Sequence, residues 1–135
     1  MSYVHRASVY KDTPQGPLVL TPYLPDDWSP SDLRVGMAFF HGGGWVSGTP
    51  TQFAYQAHTL AQLGLVCFCV EYRVISRHAV LAPSCVEDGK SAIRWLRQHA
   101  SELGLDPNRL VAAGGSAGGH VAACAAIISG YDDPT

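Results

Sequence analysis

The sequence predicts an α/β domain built on a mostly parallel sheet. Three observations carry that expectation. Short apolar runs at residues 35–40, 65–70 and 109–113 are continuously apolar where a half-exposed strand would alternate. Helical patterns separate these runs, and strand–helix alternation is the signature of parallel pairing. The first 30 residues are instead extended and turn-rich, punctuated by Pro14, Gly16, Pro22, Pro25 and Pro30, as in an antiparallel opening hairpin.

The hairpin is expected over residues 7–11 and 17–24. After the run at 35–40, Thr49-Pro50-Thr51-Gln52 combines an N-cap threonine, a proline in the first turn and a glutamine three residues after the cap. Phe53, Ala57, Leu60 and Ala61 follow at helical spacing, and Gly64 closes the segment. Beyond the run at 65–70, Ser84-Cys85-Val86-Glu87 reads as a second capping box. It opens a helix whose apolar stripe is Val86, Ile93, Leu96, Ala100 and Leu103, with Gly104 as its stop. Asp106-Pro107-Asn108 makes a turn into the run at 109–113. Residues 117–129 are apolar almost all round, which predicts a buried helix.

Composition narrows the class. A chain of 135 residues, 47% hydrophobic and 15% charged, is globular and at most one domain. A formal net charge of −2 gives no electrostatic footprint for nucleic acid or an anionic membrane. No apolar run is long enough to span a bilayer, and the opening Met1-Ser2-Tyr3-Val4-His5-Arg6 lacks the apolar core of a secretory signal, so the expected location is the cytoplasm. Cys67, Cys69, Cys85 and Cys124 form no metal-type pair. Cys67 and Cys69 would share one face of a strand as small core residues.

Two glycine-rich segments carry the chemistry: His41-Gly42-Gly43-Gly44-Trp45 and Gly114-Gly115-Ser116-Ala117-Gly118-Gly119-His120. The second contains G-x-S-x-G between an expected strand and an expected helix. That is the context of a nucleophile elbow, a bend that presents a serine hydroxyl at a helix N-terminus. Gly114 and Gly118 would flank Ser116 because the bend brings strand and helix backbones too close for side chains. The first segment supplies backbone N–H groups, so Gly43, Gly44 and Ala117 are the candidate donors of an oxyanion hole. By chance G-x-S-x-G occurs in roughly one chain in twenty of this length and H-G-G-G in about one in a thousand. Both in this order, each after a strand, leave little to coincidence.

Together with Glu71-Tyr72-Arg73, Glu87-Asp88 and Ala92-Ile93-Arg94-Trp95-Leu96, these segments resemble the hormone-sensitive-lipase-like esterases of the α/β-hydrolase fold. Among them they are most similar to bacterial acetyl/feruloyl-type esterases. The resemblance runs from about Ala7 to Pro134 and matches the N-terminal half of such an enzyme. It implies hydrolysis of short-chain or carbohydrate-linked carboxylic esters through an acyl-serine on Ser116, on a small-molecule substrate and without a cofactor or metal. It also implies that His41 braces the glycine loop. Trp45 either lines the substrate pocket or covers the loop.

The fold's triad runs Ser, then Asp or Glu, then His. After Ser116 the chain offers Asp132, Asp133 and His120. Four residues along a helix from Ser116, His120 reads as a packing or hydrogen-bonding residue, and Asp132 and Asp133 as solvated turn carboxylates. The triad acid and base are therefore expected outside this chain, which would be one partial domain over 1–135 ending after the nucleophile helix. His5, His58, His78 and His99 are expected as surface or packing residues, Glu71 and Arg73 as structural, and Asp88 as the partner of Arg73.

Two other readings remain open at this stage. One is a non-catalytic fragment or half of a split enzyme, pairing with another chain through the unpaired edge of strand 109–113. The other is a serine peptidase or acyltransferase on the same fold.

Overall fold

The run Val-Cys-Phe-Cys-Val becomes β5 (Val66–Val70), buried at every position because its faces lie under opposite layers of the molecule. A computed structural model describes residues 3–4 and 6–134. In it β5 runs parallel to β4 (Arg34–Phe40) and antiparallel to β3 (Gly16–Leu24). Among the described residues the sheet has six strands. β1 (Tyr3–Val4) and β2 (Ser8–Thr13) pair antiparallel with β3, and β6 (Leu105–Gly114) pairs parallel with β4. The opening hairpin and the parallel β5–β4–β6 pairings match the reading of the sequence, but with β1, β2 and β5 all antiparallel to β3 the sheet as a whole is mixed, not mostly parallel. His5 lies outside the described residues.

Alternation along β5 sorts its side chains into two cores. Val66, Phe68 and Val70 join Ala38, Phe40 and Leu96 on one face, while Cys67 and Cys69 lie with Phe39 and Ala57 on the other. The four cysteines are reduced and buried, the packing role their spacing implied. Helix α1 (Ala54–Gln62), entered through a 3-10 turn at Pro50–Phe53, covers the cysteine face. On the other face lie α3 (Ala82–Gln98) and α5 (Ala117–Ile127). Two short helices, α2 (Ile75–His78) and α4 (Ala100–Leu103), complete the chain. α2 was not legible in the sequence.

Several local expectations are corrected. Neither capping box forms: α3 begins at Ala82 with Leu81 as its cap, so Ser84 lies inside the first turn, and Thr49, although it is the N-cap ahead of Pro50 as expected, makes no side-chain cap bond. The long third helix breaks at His99, whose Nδ1 donates to the Trp95 carbonyl (2.8 Å) and whose ring stacks on Trp95. The Asp106 carboxylate accepts the Asn108 N–H as expected of a turn, but strand pairing already starts at Leu105. Arg34 pairs with Leu105 and Gly36 with Leu110, so the extra residues bulge out of the sheet.

The expectation of double burial fails for β6, which pairs only with β4 among the described residues and is half exposed along its length. It also fails for α5, which ends at Ile127, not Ser129. Val121 and Cys124 are buried, whereas Ala123, Ala126 and Ile127 are exposed. Apolarity alone does not say which neighbour will cover a face.

A buried ion cluster fixes the end of β5. A bulge between Val9 and Lys11 lets consecutive residues Tyr10 and Lys11 both turn inward. Lys11 Nζ reaches Asp88 Oδ1 at 2.9 Å, and Arg73 meets the same carboxylate through Nε and Nη2 and through its backbone N–H. The Arg73–Asp88 pair matches the sequence reading; Lys11 was missed. Tyr10 donates its hydroxyl to the Glu71 carbonyl, and Glu71 accepts the Val19 N–H, so Glu71 is structural as expected.

Candidate active site

Ser116 sits between β6 and α5 with φ 55 and ψ −122, a left-handed conformation that costs a non-glycine residue about 1–3 kcal/mol. It is the N-cap of α5 and is exposed. The bend around it is as tight as the motif requires. A Cβ on Gly114 would stand 2.5 Å from the Gly118 backbone and 2.6 Å from the Phe40 carbonyl oxygen. A Cβ on Gly118 would overlap the Phe40 oxygen outright and lie 2.5 Å from that of His41. Gly118 thus docks the elbow on the end of β4, where the glycine loop begins. The contact continues at Gly42, whose added Cβ would be 3.1 Å from the Gly115 oxygen and 3.4 Å from Ser116 Cβ.

Hydrogen bonds orient the glycine loop one peptide at a time. The peptide joining His41 to Gly42 is held on both sides: the Tyr72 hydroxyl donates to the His41 carbonyl (2.5 Å), and Gln52 Oε1 accepts the Gly42 N–H (2.6 Å). In the next peptide the Gly42 carbonyl accepts from His41 Nδ1 at 2.8 Å. A trans peptide points its N–H opposite its C=O, so this bond turns the Gly43 N–H away from His41. The Gly43 carbonyl accepts the N–H groups of Val46 and Ser47, which fixes the following peptide and directs the Gly44 N–H the other way. Gly43 and Gly44 adopt φ 135 and 63, are exposed, and donate to no acceptor among the described residues.

His41 is buried and stacks on Tyr72 with centroids 4.3 Å apart. Because Nδ1 donates to a carbonyl, its proton belongs there; Nε2 has no partner among the described residues. Burial pushes the imidazole below its ordinary pKa, so the neutral ring is the one the fold favours.

Trp45 follows the loop with φ 62. Its backbone oxygen accepts the Ile75 N–H, and its indole N–H donates to His120 Nδ1 at 3.2 Å. The other His120 nitrogen, Nε2, lies 3.4 Å from Cys124 Sγ. Both ring nitrogens are therefore engaged, the hydrogen-bonding role the sequence suggested. The reading of the two turn carboxylates as solvated holds for Asp132, which is exposed, and needs correction for Asp133. Asp133 is three-quarters buried and pairs with Lys11 at 2.9 Å, and Asp132 pairs with Arg94 at 2.8 Å. Cations on β2 and α3 draw this turn onto the sheet, where a sequence shows only a polar loop.

The structure thus brings Ser116 together with the loop of Gly42, Gly43 and Gly44, and puts Ala117 at the first position of α5. Gln52 and Tyr72 were missed as loop residues. Gln52 looked like half of a capping box, and Tyr72 carried no signal beyond its place at a strand end.

A serine elbow at the carboxyl end of a parallel strand, facing a glycine loop, defines the α/β-hydrolase class. The BD-FAE family profile matches residues 23–133, and the chain belongs to that family of hormone-sensitive-lipase-like esterases. Esterase LipC of Mycobacterium tuberculosis is 36% identical over 98% of this chain and 32% of its own length. Carboxylesterase NlhH of the same organism is 37% identical over 76% of this chain and 32% of its own. Among solved structures, esterase 2 of Thermogutta terrifontis superposes with a TM-score of 0.94 at 50% identity, covering 96% of this chain and 48% of that one. The chain spans about a third of these curated relatives and about half of the solved esterase.

Proposed function

We propose that these residues are the nucleophile-and-oxyanion half of a serine carboxylesterase. Ser116 attacks the ester carbonyl, and the N–H groups of Gly43, Gly44 and Ala117 receive the charge that develops on its oxygen. Each such donor is worth about 2.7–4 kcal/mol of transition-state stabilisation where it is preorganised. The observation that carries the reading is the peptide-by-peptide bonding of residues 41–44. It leaves two adjacent N–H groups unclaimed on the loop that touches Ser116. Short acyl groups suit the reading, since the Thermogutta esterase has been solved with propionate and with butyrate bound.

The proton acceptor for Ser116 and its orienting carboxylate come, in this account, from outside the 135 residues. His120, Asp132 and Asp133 already have partners. A serine without a base is a poor nucleophile at neutral pH. Loss of triad members elsewhere leaves about 10³–10⁴-fold over water. The chain alone should therefore show trace hydrolysis of a chromogenic acetyl or butyryl ester. Adding the portion of the Thermogutta esterase that this chain does not cover should restore turnover, and Ser116→Ala should abolish it. Turnover that survives Ser116→Ala would overturn the proposal. Rapid turnover by the chain alone would show that it contains its own base.

A second reading, association through the sheet edge, is favoured by β6. It carries one partner strand among the described residues and itself exposes Val111. A chain that completes the sheet would pair along β6. Sedimentation showing a monodisperse monomer at high concentration would count against it.

A further inference from the structure

Positions 41 and 42 of the glycine loop are anchored by Tyr72 and Gln52, whereas the amides proposed to meet the substrate belong to Gly43 and Gly44. Those two are tethered from the other side, through Trp45. Trp45 is a non-glycine residue at φ 62, a conformation that persists only where surrounding contacts hold it. Its indole is such a contact. Nε1–H donates to His120 Nδ1 at 3.2 Å, and the two rings meet edge to face, 87° apart with centroids at 5.3 Å.

We propose that His120 is a positioning residue: by accepting the Trp45 indole proton it ties the glycine loop to α5 and keeps the Gly43 and Gly44 amides in register with Ser116. The inference rests on the esterase reading for its purpose, though not for its geometry. His120 is four residues past Ser116 on α5, so the nucleophile and the anchor are carried by one rigid element, with one helical turn between them. Displacement of Trp45 away from α5 breaks the Trp45–His120 bond.

The bond also fixes the tautomer. An indole N–H is a donor only, so His120 Nδ1 must be unprotonated and the ring proton sits on Nε2. There it faces Cys124 Sγ at 3.4 Å, a weak acceptor one further turn along the same helix. Cys124 is buried and holds the imidazole plane toward Trp45. An orienting group behind a functional one is the usual way a loop is kept to within a fraction of an ångström.

The test is nuclear magnetic resonance on the ¹⁵N-labelled 135-residue chain. His120 should show the Nε2–H tautomer and the Trp45 indole proton should be protected from exchange. His120→Leu should speed amide exchange at Val46 and Ser47, whose N–H groups donate to the Gly43 carbonyl, by roughly fivefold to tenfold, the scale of one hydrogen bond, and leave Val121 and Ala122 of α5 unchanged. His120→Gln, whose Oε1 can accept the indole proton, should restore protection. Trp45→Phe, which keeps a ring and loses the donor, should reproduce the leucine variant.

The proposal is overturned if His120 carries its proton on Nδ1, if neither His120→Leu nor Trp45→Phe alters loop exchange, or if leucine and glutamine behave alike. Ester turnover with and without Ser116 is read separately. Failure there with the loop effects intact removes the esterase reading and leaves the tie standing.

Discussion

Gln52 Oε1 accepts the backbone N–H of Gly42 at 2.6 Å, so a residue ahead of α1 orients the first peptide of the glycine loop. Leucine in its place leaves that N–H without an acceptor in a partly buried site, which costs about 1–3 kcal/mol. Gln52→Leu should therefore lower the urea midpoint and speed exchange of the Gly42 amide. Gln52→Glu, which keeps an acceptor oxygen, should preserve most of that protection.

Gly118 and Gly44 should respond oppositely to alanine. A methyl on Gly118 overlaps the Phe40 carbonyl oxygen, and neither backbone can yield without separating the elbow from β4. Gly118→Ala should cost more than about 3 kcal/mol or prevent folding. Gly44 has open space around its Cβ position and pays only for φ 63, so Gly44→Ala should cost about 1 kcal/mol. Thermal unfolding of the two variants side by side checks the contrast.

Ser116 holds a conformation that glycine adopts freely and alanine does not. Ser116→Gly should be more stable than Ser116→Ala by about 1–2 kcal/mol, the relieved strain less glycine's added chain entropy. Both substitutions should abolish hydrolysis in the complemented assembly. Equal stability of the two would mean that the elbow is unstrained.

Asp88 receives Arg73 and Lys11 in a fully buried cluster. Asp88→Ala leaves two buried cations without their shared carboxylate and should cost about 3–5 kcal/mol, measured by chemical denaturation. The loss should spread to the glycine loop, because Arg73 adjoins the Tyr72 that holds the His41 carbonyl.

Stability should fall with acid through His41. Burial pushes its folded-state pKa below the ordinary 6.5, so the unfolded chain takes up the proton first. The contribution is complete above about pH 6.5 and is lost as pH falls from there toward the folded-state value. Asp32 and Asp106, held below the usual carboxylate range by hydrogen bonds from Arg34 and from the Asn108 N–H respectively, add a further loss at lower pH. His41→Gln should flatten the upper of these two windows in a pH series of urea midpoints.

What could be read in advance follows the range of each interaction. The runs that became β4 and β5, the bend at Ser116 and the stop at Gly104 are local patterns, decided by periodicity and by glycine's freedom within a few residues. Both capping boxes were local patterns too, and both failed. Gln52 found a better donor in Gly42, and the start of α3 at Ala82 turned Ser84 into an ordinary first-turn residue. The burial of α5 was overstated because an apolar stretch records only a tendency to be covered.

The sequence by itself determined the order of the main strands and of the helices α1, α3 and α5, and the glycines around Ser116, since a bend that tight excludes side chains at 114 and 118 whatever surrounds it. Tertiary structure alone decided which way each loop peptide faces and which side chains hold it. Those bonds join Gly42 to Gln52, His41 to Tyr72, Trp45 to His120 and Lys11 to Asp88. A hydrogen bond between residues distant along the chain depends on directions that appear only once the sheet has brought both partners together.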